Sequence, residues 1–274
     1  MALYINTNPA SLGAQRNLGA SQRNLTSNVS RLSSGQRITV AADDAAGLGI
    51  SEKLKAQIRG LSQAQRNAND GISMGQLAEG AMNEQAGILV RLRELAVQSA
   101  NGTLGTDERS FISTEAGELV GELDRISTVT EFNGVRMLGA DAGDIDMQVG
   151  IRGTADDTIT MTFSATDSAT LGVDALDFDT QAGAQAGLDT IDAAINTLST
   201  SRANLGAAQN RLGVTVNNLS VAHENLSAAN SRIRDVDVAE ETAALTRNQI
   251  LSQAGIAVLA QANQLPSAAL SLLG

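Results

Sequence analysis

The residue pair best suited to chemistry is His223-Glu224, which matches the beginning of a zinc-protease motif. That motif places a second histidine four residues after the first, so that both rings reach one metal from one helix face. Position 227 is Ser227, and His223 is the only histidine in a chain that has no cysteine. We therefore interpret His223 as a polar helix residue. The sequence predicts no metal site and no thiolate chemistry, and it offers the serines and threonines little that would activate them.

Two shorter motifs also favour structural interpretations. Gly47-Leu48-Gly49 lacks the third glycine of a dinucleotide-binding loop, which favours a turn at the start of a helix. Asp43-Asp44 are adjacent, so they cannot face each other across a substrate as an acid and a base must. We interpret this pair as a helix N-terminus.

The aspartates of the middle segment resemble a calcium loop only in part. Asp141, Asp144 and Asp146 are not accompanied by the central glycine and the distal glutamate that such a loop requires. Solvated loop charge is the favoured interpretation. Together these motifs predict no catalytic residue, no metal ligand and no cofactor, so we expect a protein that is not an enzyme.

The charge of the chain is negative overall and unevenly distributed. Thirty acids and 19 bases give a net charge of −11, which argues against nucleic-acid binding. Nine aspartates and one arginine place −8 of this charge in residues 141–180. Residues 1–40 contain four arginines and no acid, and residues 248–274 contain no charged side chain. No basic segment followed by an apolar one begins the chain, and no apolar run approaches the ~18 residues of a membrane span, so we expect no membrane insertion.

Helical periodicity dominates the second half of the chain. Every seventh residue from Ile191 to Ile233 is aliphatic, which is typical of a coiled-coil d position. The predicted bundle seam comprises Leu198, Leu205, Leu212, Leu219 and Leu226. The companion positions are mixed and include Arg202, Gln209 and His223, which predicts a seam that is polar or half-exposed on one side.

Four further segments have helical spacing. Residues 44–100 and a segment that follows Thr106, a candidate N-cap, predict two more bundle helices. Asn8-Pro9 predicts an N-cap followed by proline at the first helical position. Near each end of the chain, leucine or valine recurs at seven-residue intervals. Pro266 is expected to interrupt the last helix. The recurring positions are Leu18, Leu25, Leu32, Leu251, Val258 and Leu265.

The acidic middle has a period of two. Apolar residues alternate with polar ones over 145–152 and again over 158–163, and residues 153–157 can turn, which predicts a β-hairpin. The predicted fold is mainly α: a long helical coiled-coil bundle with a small β-hairpin region and paired terminal helices. We expect five segments: 1–43, 44–140, 141–181, 182–234 and 235–274.

The uncharged apolar positions at both ends are predicted to pack against protein. A membrane-surface helix would carry lysine or arginine on its polar face, whereas the C-terminal segment carries glutamine, asparagine and serine. An isolated helix of this kind is marginal in water. We expect both termini to be poorly ordered in a single chain and helical once many copies bury them.

The chain resembles bacterial flagellin along most of its length, over about 1–140 and 200–274. The motifs that carry this resemblance include Ala14-Gln15-Arg16-Asn17-Leu18, Arg31-Leu32-Ser33-Ser34-Gly35, Ala42-Asp43-Asp44-Ala45-Ala46-Gly47-Leu48, Phe132-Asn133-Gly134 and Leu259-Ala260-Gln261-Ala262-Asn263-Gln264. The resemblance implies an extracellular structural subunit that polymerises into the flagellar filament, with the six terminal positions above in the filament-core interface. It also implies unfolded export through the flagellar type III apparatus. With roughly 60 residues between the two halves, the large outer domains of many members are expected to be missing.

The resemblance further implies several partners. These are a second copy of the chain, an export chaperone that covers residues 250–273, hook-associated and cap proteins, and a Toll-like receptor. Arg91, Leu95 and Glu115 match a receptor patch of the family, whereas Val90 stands where glutamine is common. The alternatives are a hook-filament junction protein and a secreted adhesin or immune-interacting module.

Overall fold

The computed structural model describes residues 7–270, with side chains described for residues 7–264. The described helices are α1 (Pro9–Ser34), α2 (Ala45–Ser99), α3 (Thr106–Val129), α4 (Ser168–Leu171), α5 (Gln181–Arg234) and α6 (Val238–Leu270). The described strands are β1 (Glu131–Phe132), β2 (Val135–Arg136), β3 (Asp144–Gln148) and β4 (Thr158–Thr162). The mainly α fold predicted from periodicity is confirmed.

The chain forms two compact units. The terminal unit comprises Met1–Ala56 and Asn225–Gly274, and the bundle unit comprises Gln57–Glu224. The segment boundaries expected at 43/44, 181/182 and 234/235 lie near helix ends, and the one at 140/141 lies between β2 and β3. The two units instead divide within α2 and α5. The five-segment division stays a prediction.

The bundle unit has a continuous apolar core. It is built by α2, α3 and α5 together with the strands and the segment that follows them. The largest side chains that are buried there include Met82, Leu89, Leu92, Leu95, Leu123, Met137, Leu138, Met161, Phe163, Ile191 and Leu198. Aliphatic residues and methionine provide most of this core, as the low aromatic content requires.

The predicted β-hairpin is confirmed, with shorter strands than the alternation indicated. β3 pairs antiparallel with β4, and Ile145 lies opposite Met161. β3 ends at Gln148, and the turn therefore takes up residues 149–157. Gly71 and Gly75 let the hairpin lie close to α2, because a Cβ built at Gly75 would lie 2.9 Å from Met161 Cε.

A second hairpin, β1–β2, was not predicted. Phe132 pairs with Val135 around a two-residue turn in which both Asn133 (φ 50°) and Gly134 (φ 80°) have positive φ. Asn-Gly is the preferred sequence for such a turn, because glycine and asparagine tolerate this backbone conformation best. The dipeptide is therefore the sequence signal that could have revealed this hairpin.

Two expected helix boundaries are corrected. Thr106 is the first residue of α3, and Gly105 occupies the N-cap position with no side-chain hydrogen bond. α6 continues through Pro266 to Leu270. The expected N-cap at Asn8 is confirmed, since its side chain accepts a hydrogen bond from the backbone N–H of Ser11.

Candidate assembly surface

The helices α1 and α6 pack against each other in antiparallel orientation within the terminal unit. Ser11 Oγ donates a hydrogen bond to Asn263 Oδ1 (2.8 Å), near the start of α1 and toward the end of α6. Two turns of helix further into the pair, a Cβ built at Gly255 would lie 3.3 Å from Leu18 Cδ1, so this glycine gives room for Leu18. These contacts align residue 11 with residue 263 and residue 18 with residue 255.

Asn8 joins the beginning of α1 to α6 through both ends of its carboxamide. Its Oδ1 caps the N–H of Ser11 (3.1 Å), and its Nδ2 donates to the carbonyl oxygen of Ala262 (2.7 Å). In a regular helix that carbonyl would accept from the N–H of residue 266, which is proline and has none. The Asn8 side chain thus satisfies the carbonyl that Pro266 leaves free, which explains in part how α6 continues through a proline.

A buried polar network lies further along the same pair. Asn28 Nδ2 donates to Glu241 Oε1 (2.7 Å), and Asn248 Nδ2 donates to Asn28 Oδ1 (3.0 Å). Asn28 is 7% and Glu241 9% exposed. Because an unpaired buried polar group is costly, this network favours one register of α1 on α6 over its neighbours.

The connecting segments of the terminal unit pair with each other beside these helices. The backbone N–H of Val236 donates to the Gly35 carbonyl (3.1 Å), and Gln36 forms an isolated antiparallel bridge with Asp235. Arg37 Nη2 donates to the Ile233 carbonyl (2.7 Å). The two ends of the chain are therefore joined by backbone hydrogen bonds as well as by helix packing.

The predicted aspartate pair immediately precedes α2, which begins at Ala45. Asp44 Oδ1 accepts from the N–H of Gly47 (2.8 Å), which lies in the first turn of α2 as expected. Asp43 Oδ2 accepts from the N–H groups of Thr39 (3.0 Å) and Val40 (3.1 Å) and from the Thr39 hydroxyl (3.0 Å). The backbone hydrogen bond from Thr39, with those from Val40 and the Thr39 hydroxyl, lowers the pKa of Asp43 to about 2. Asp43 therefore stabilises the connector between α1 and α2, residues 35–44, and performs no acid–base role at neutral pH.

The six predicted interface positions divide into two groups. Leu18, Leu25 and Leu32 of α1 are half-buried, and Leu18 already packs on Gly255 of the same chain. On α6, Leu251 is 50% and Val258 59% exposed. The side chain of Leu265 lies outside the described residues. The spacing of seven marks an apolar face in both helices, but only the tertiary structure separates the face covered within the chain from the face left open.

The open surface of the terminal unit is apolar at several more positions. Leu12 and Val29 of α1 and Ile250 and Ile256 of α6 are each between 49% and 60% exposed. No charged side chain occurs after Arg247. Exposed aliphatic residues of this kind, which on α6 lie in a stretch without charge, are typical of surfaces that other protein covers.

The chain also matches known families over both of its halves. Residues 5–142 match the bacterial flagellin N-terminal helical region, and residues 188–273 match the bacterial flagellin C-terminal helical region. The chain belongs to the bacterial flagellin family.

Individual relatives agree with this assignment. This flagellin is 44% identical to the flagellar filament 33 kDa core protein of Treponema phagedenis, over 99% of its own length and all of the relative. It is 45% identical to a flagellin of Halalkalibacterium halodurans with the same coverage. The crystal structure of Bacillus cereus flagellin has a TM-score of 0.51 and 30% identity, and the match covers 60% of this chain and 94% of that one.

The protein is a structural subunit of the bacterial flagellar filament and lies outside the cell. None of the matches described above favours a hook-filament junction protein or a secreted adhesin. Among the described residues, no group of histidine, aspartate and glutamate side chains could hold a metal, and no described helix could span a membrane. His223 is half-buried on α5 of this flagellin.

The predicted seam of the flagellin bundle lies on α5. Leu198, Leu205, Leu212 and Leu219 are each at most 8% exposed, and Leu226, which belongs to the terminal unit, is half-buried. The companion positions Arg202, Gln209 and His223 are half-buried. These polar positions are half-buried beside the buried leucines, an arrangement in which a long side chain such as that of Arg202 can cover apolar surface and still reach water.

The three residues matched to a receptor patch do not share one environment. Arg91 donates from Nε (2.9 Å) and Nη2 (2.7 Å) to Glu115 Oε1, and from Nη1 to Glu94 Oε2 (3.0 Å). The Glu115 hydrogen bond is the main cause that raises the pKa of Arg91, so the guanidinium stays charged. Leu95 is 1% exposed and belongs to the core, which its place on the inner face of α2 explains. The accessible surface here comprises Arg91, Glu94, Glu115 and Val90, which is 50% exposed.

Proposed function

We propose that the open apolar positions of α6, represented by Leu251 and Val258, form the filament-core interface together with α1. The observation that carries this proposal is their exposure of 50% and 59% in a stretch without charged side chains. A pair of helices can cover only one side of each helix, so the other side is left for a second copy. Burial of that side would stabilise a helix that is marginal alone.

The test is polymerisation of the purified chain after salting out, observed by negative-stain electron microscopy. We expect long filaments from the natural chain and a large loss of filament after Leu251→Asp with Val258→Asp, because each aspartate would be buried without a partner. Val214 and Val221 offer a matched control, since they are also seven residues apart on one helix and are 63% and 58% exposed. Val214→Asp with Val221→Asp should polymerise nearly normally. Unimpaired polymerisation of the α6 variant would contradict the proposal.

The same surface favours binding to an export partner before assembly. An apolar helix face that is open before assembly needs cover inside the cell, which favours a chaperone that binds residues 250–273 until the chain enters the type III apparatus. Hook-associated and cap proteins would meet the same terminal helices at the filament ends. The family resemblance of the terminal segments supports these partners.

The surface of Arg91, Glu94 and Glu115 supports binding to a Toll-like receptor, with Leu95 holding α2 in place from the core. Val90 offers no side-chain hydrogen bond at a position where a glutamine would offer several. Receptor binding is therefore expected to be weaker than for a Val90→Gln variant of the same chain.

A further inference from the structure

The face of α1 that points away from Leu18 carries an apolar residue and two arginines. Leu12, Arg16, Gly19 and Arg23 follow one another at spacings of four, three and four, which places them in one stripe along the helix. Leu12 is 54% exposed, and both arginines are exposed. Neither arginine has an ion-pair or hydrogen-bond partner among the side chains described for residues 7–264. Together with Pro9 and Gln15, these four residues line a shallow groove on the helix surface.

One flank of α6 carries the complementary groups. Glu240, Leu251 and Val258 are separated by eleven and seven residues, so they also lie in one stripe. Glu240 is exposed and has no ion-pair partner within the part of the chain whose side chains are described. The stripe therefore begins with a carboxylate and continues with exposed aliphatic side chains.

The two stripes match in spacing when the helices are antiparallel. Leu12 and Arg23 are eleven residues apart on α1, and Glu240 and Leu251 are eleven residues apart on α6. An antiparallel alignment that places Leu12 against Leu251 therefore also places Arg23 against Glu240. Apolar surface meets apolar surface and opposite charges meet, which is the complementarity that selects one register.

This alignment cannot form within one chain. Residue 11 lies beside residue 263 and residue 18 beside residue 255, so Arg23 is level with about residue 250 of its own α6. Glu240 lies about ten residues away, which corresponds to roughly 15 Å along a helix. The partner that fits is another copy of the chain.

We propose that the outer stripe of α1 (Leu12, Arg16, Gly19 and Arg23) binds the α6 flank of a second copy, with Leu12 on Leu251 and Arg23 on Glu240. The inference rests on the proposed filament-core interface and adds its register: the neighbouring α6 is displaced by about 15 Å from the position of the chain's own α6. One exposed apolar contact and one ion pair thus set the axial offset between these two copies.

Arg16 provides an internal control for this register. In the proposed alignment it comes level with Arg247, and at 100° per residue the two arginines fall on opposite edges of their stripes. Arg16 therefore gains no opposite charge from the second copy. A different register that paired Arg16 with Glu240 would reverse the order of importance of the two arginines.

The first experiment compares charge reversals in the full chain by the critical concentration for polymerisation. Arg23→Glu should raise it roughly threefold to tenfold, because an attraction becomes a repulsion in every repeat. Arg16→Glu, with the same change of charge on the same face, should leave it unchanged or lower it. Arg23→Glu combined with Glu240→Arg in one chain should restore the natural value, and so should a mixture of the two single variants.

The second experiment uses the absence of natural cysteine. Leu12→Cys with Leu251→Cys should give a ladder of disulfide-linked oligomers in oxidised filaments, because a disulfide needs Cα atoms within about 7 Å. Leu12→Cys with Gln253→Cys, where the second position lies on another face of α6, should give none.

If the natural chain forms no filaments, the proposed function fails. If it forms filaments that give no ladder, or if Arg16→Glu impairs assembly as much as Arg23→Glu, the proposed function stands and this register is overturned.

Discussion

The bundle unit and the terminal unit both contain long helices with leucine at seven-residue intervals, yet they bury these leucines to different extents. In the bundle unit, Leu198, Leu205 and Leu212 are at most 1% exposed, because three helices and a hairpin surround them. In the terminal unit, Leu18, Leu25 and Leu32 are half-buried, and the residues of α1 that are buried are Ser11, Ala14 and Asn28. Two helices can bury small or centrally placed side chains between them, but this pair leaves its leucines partly open. The difference explains why one unit is complete in a single chain while the other presents surface for further copies.

The largest expected effect is on the bundle core. Leu92→Ala should lower the free energy of unfolding of the bundle unit by about 3 kcal/mol, because Leu92 is fully buried and its removal leaves a cavity. Leu25→Ala in α1 should cost about 1 kcal/mol of local stability, since part of the leucine is already in water. Guanidinium unfolding measures the first loss, and amide hydrogen exchange in α1 measures the second. Equal losses of stability for Leu92→Ala and Leu25→Ala would show that the two units bury these leucines equally well.

A smaller effect is expected at Asn8, which links the start of α1 to α6. Asn8→Ala should reduce the local stability of α1 and of the end of α6 by about 1 kcal/mol, since it removes a cap and the donor to Ala262. Pro266→Ala restores an N–H four residues after Ala262, so it should compensate part of this loss in the Asn8→Ala background. A double-mutant cycle followed by hydrogen exchange should give a coupling of about 0.5–1 kcal/mol. Strict additivity would show that Asn8 and Pro266 act independently.

The smallest effect is expected when acid protonates Asp43 and weakens the connector between α1 and α2. The pKa of Asp43 is lowered from 3.8 to about 2, so its carboxylate stabilises the folded connector at pH values above about 4. This contribution should decline as the pH falls from about 4 toward 2, where the folded carboxyl takes up its proton. NMR titration of Asp43, with hydrogen exchange at the amides of Thr39 and Val40, measures it. Asp43→Asn should remove this pH dependence while leaving that of the bundle unit unchanged.

The helices were the most predictable part of this protein. Period-seven leucines in α5 and the Asn8-Pro9 start of α1 depend on local backbone geometry and on one apolar face, and both can be read from neighbouring residues. The β1–β2 hairpin was missed although Asn133-Gly134 marks it, because strands of two residues show no alternation. The interruption expected at Pro266 was wrong, because a side chain distant in sequence, Asn8, satisfies the carbonyl that proline leaves free.

The candidate interface was predictable only as a set of apolar positions. Spacing alone cannot tell a leucine that packs on its own chain from one that stays open, as the contrast between Leu18 and Leu251 shows. Leu95 likewise matches a surface patch by its position in the sequence, but its place on the inner face of α2 buries it.

The positions of the helices, their apolar faces and the stretches without charge follow from periodicity and composition, and the amino-acid sequence was enough to predict them. Which apolar faces the chain covers itself became known from the folded chain, because coverage depends on antiparallel register and on contacts such as Ser11 with Asn263 and Leu18 with Gly255. These contacts join residues that are more than 230 positions apart, and no local pattern specifies them.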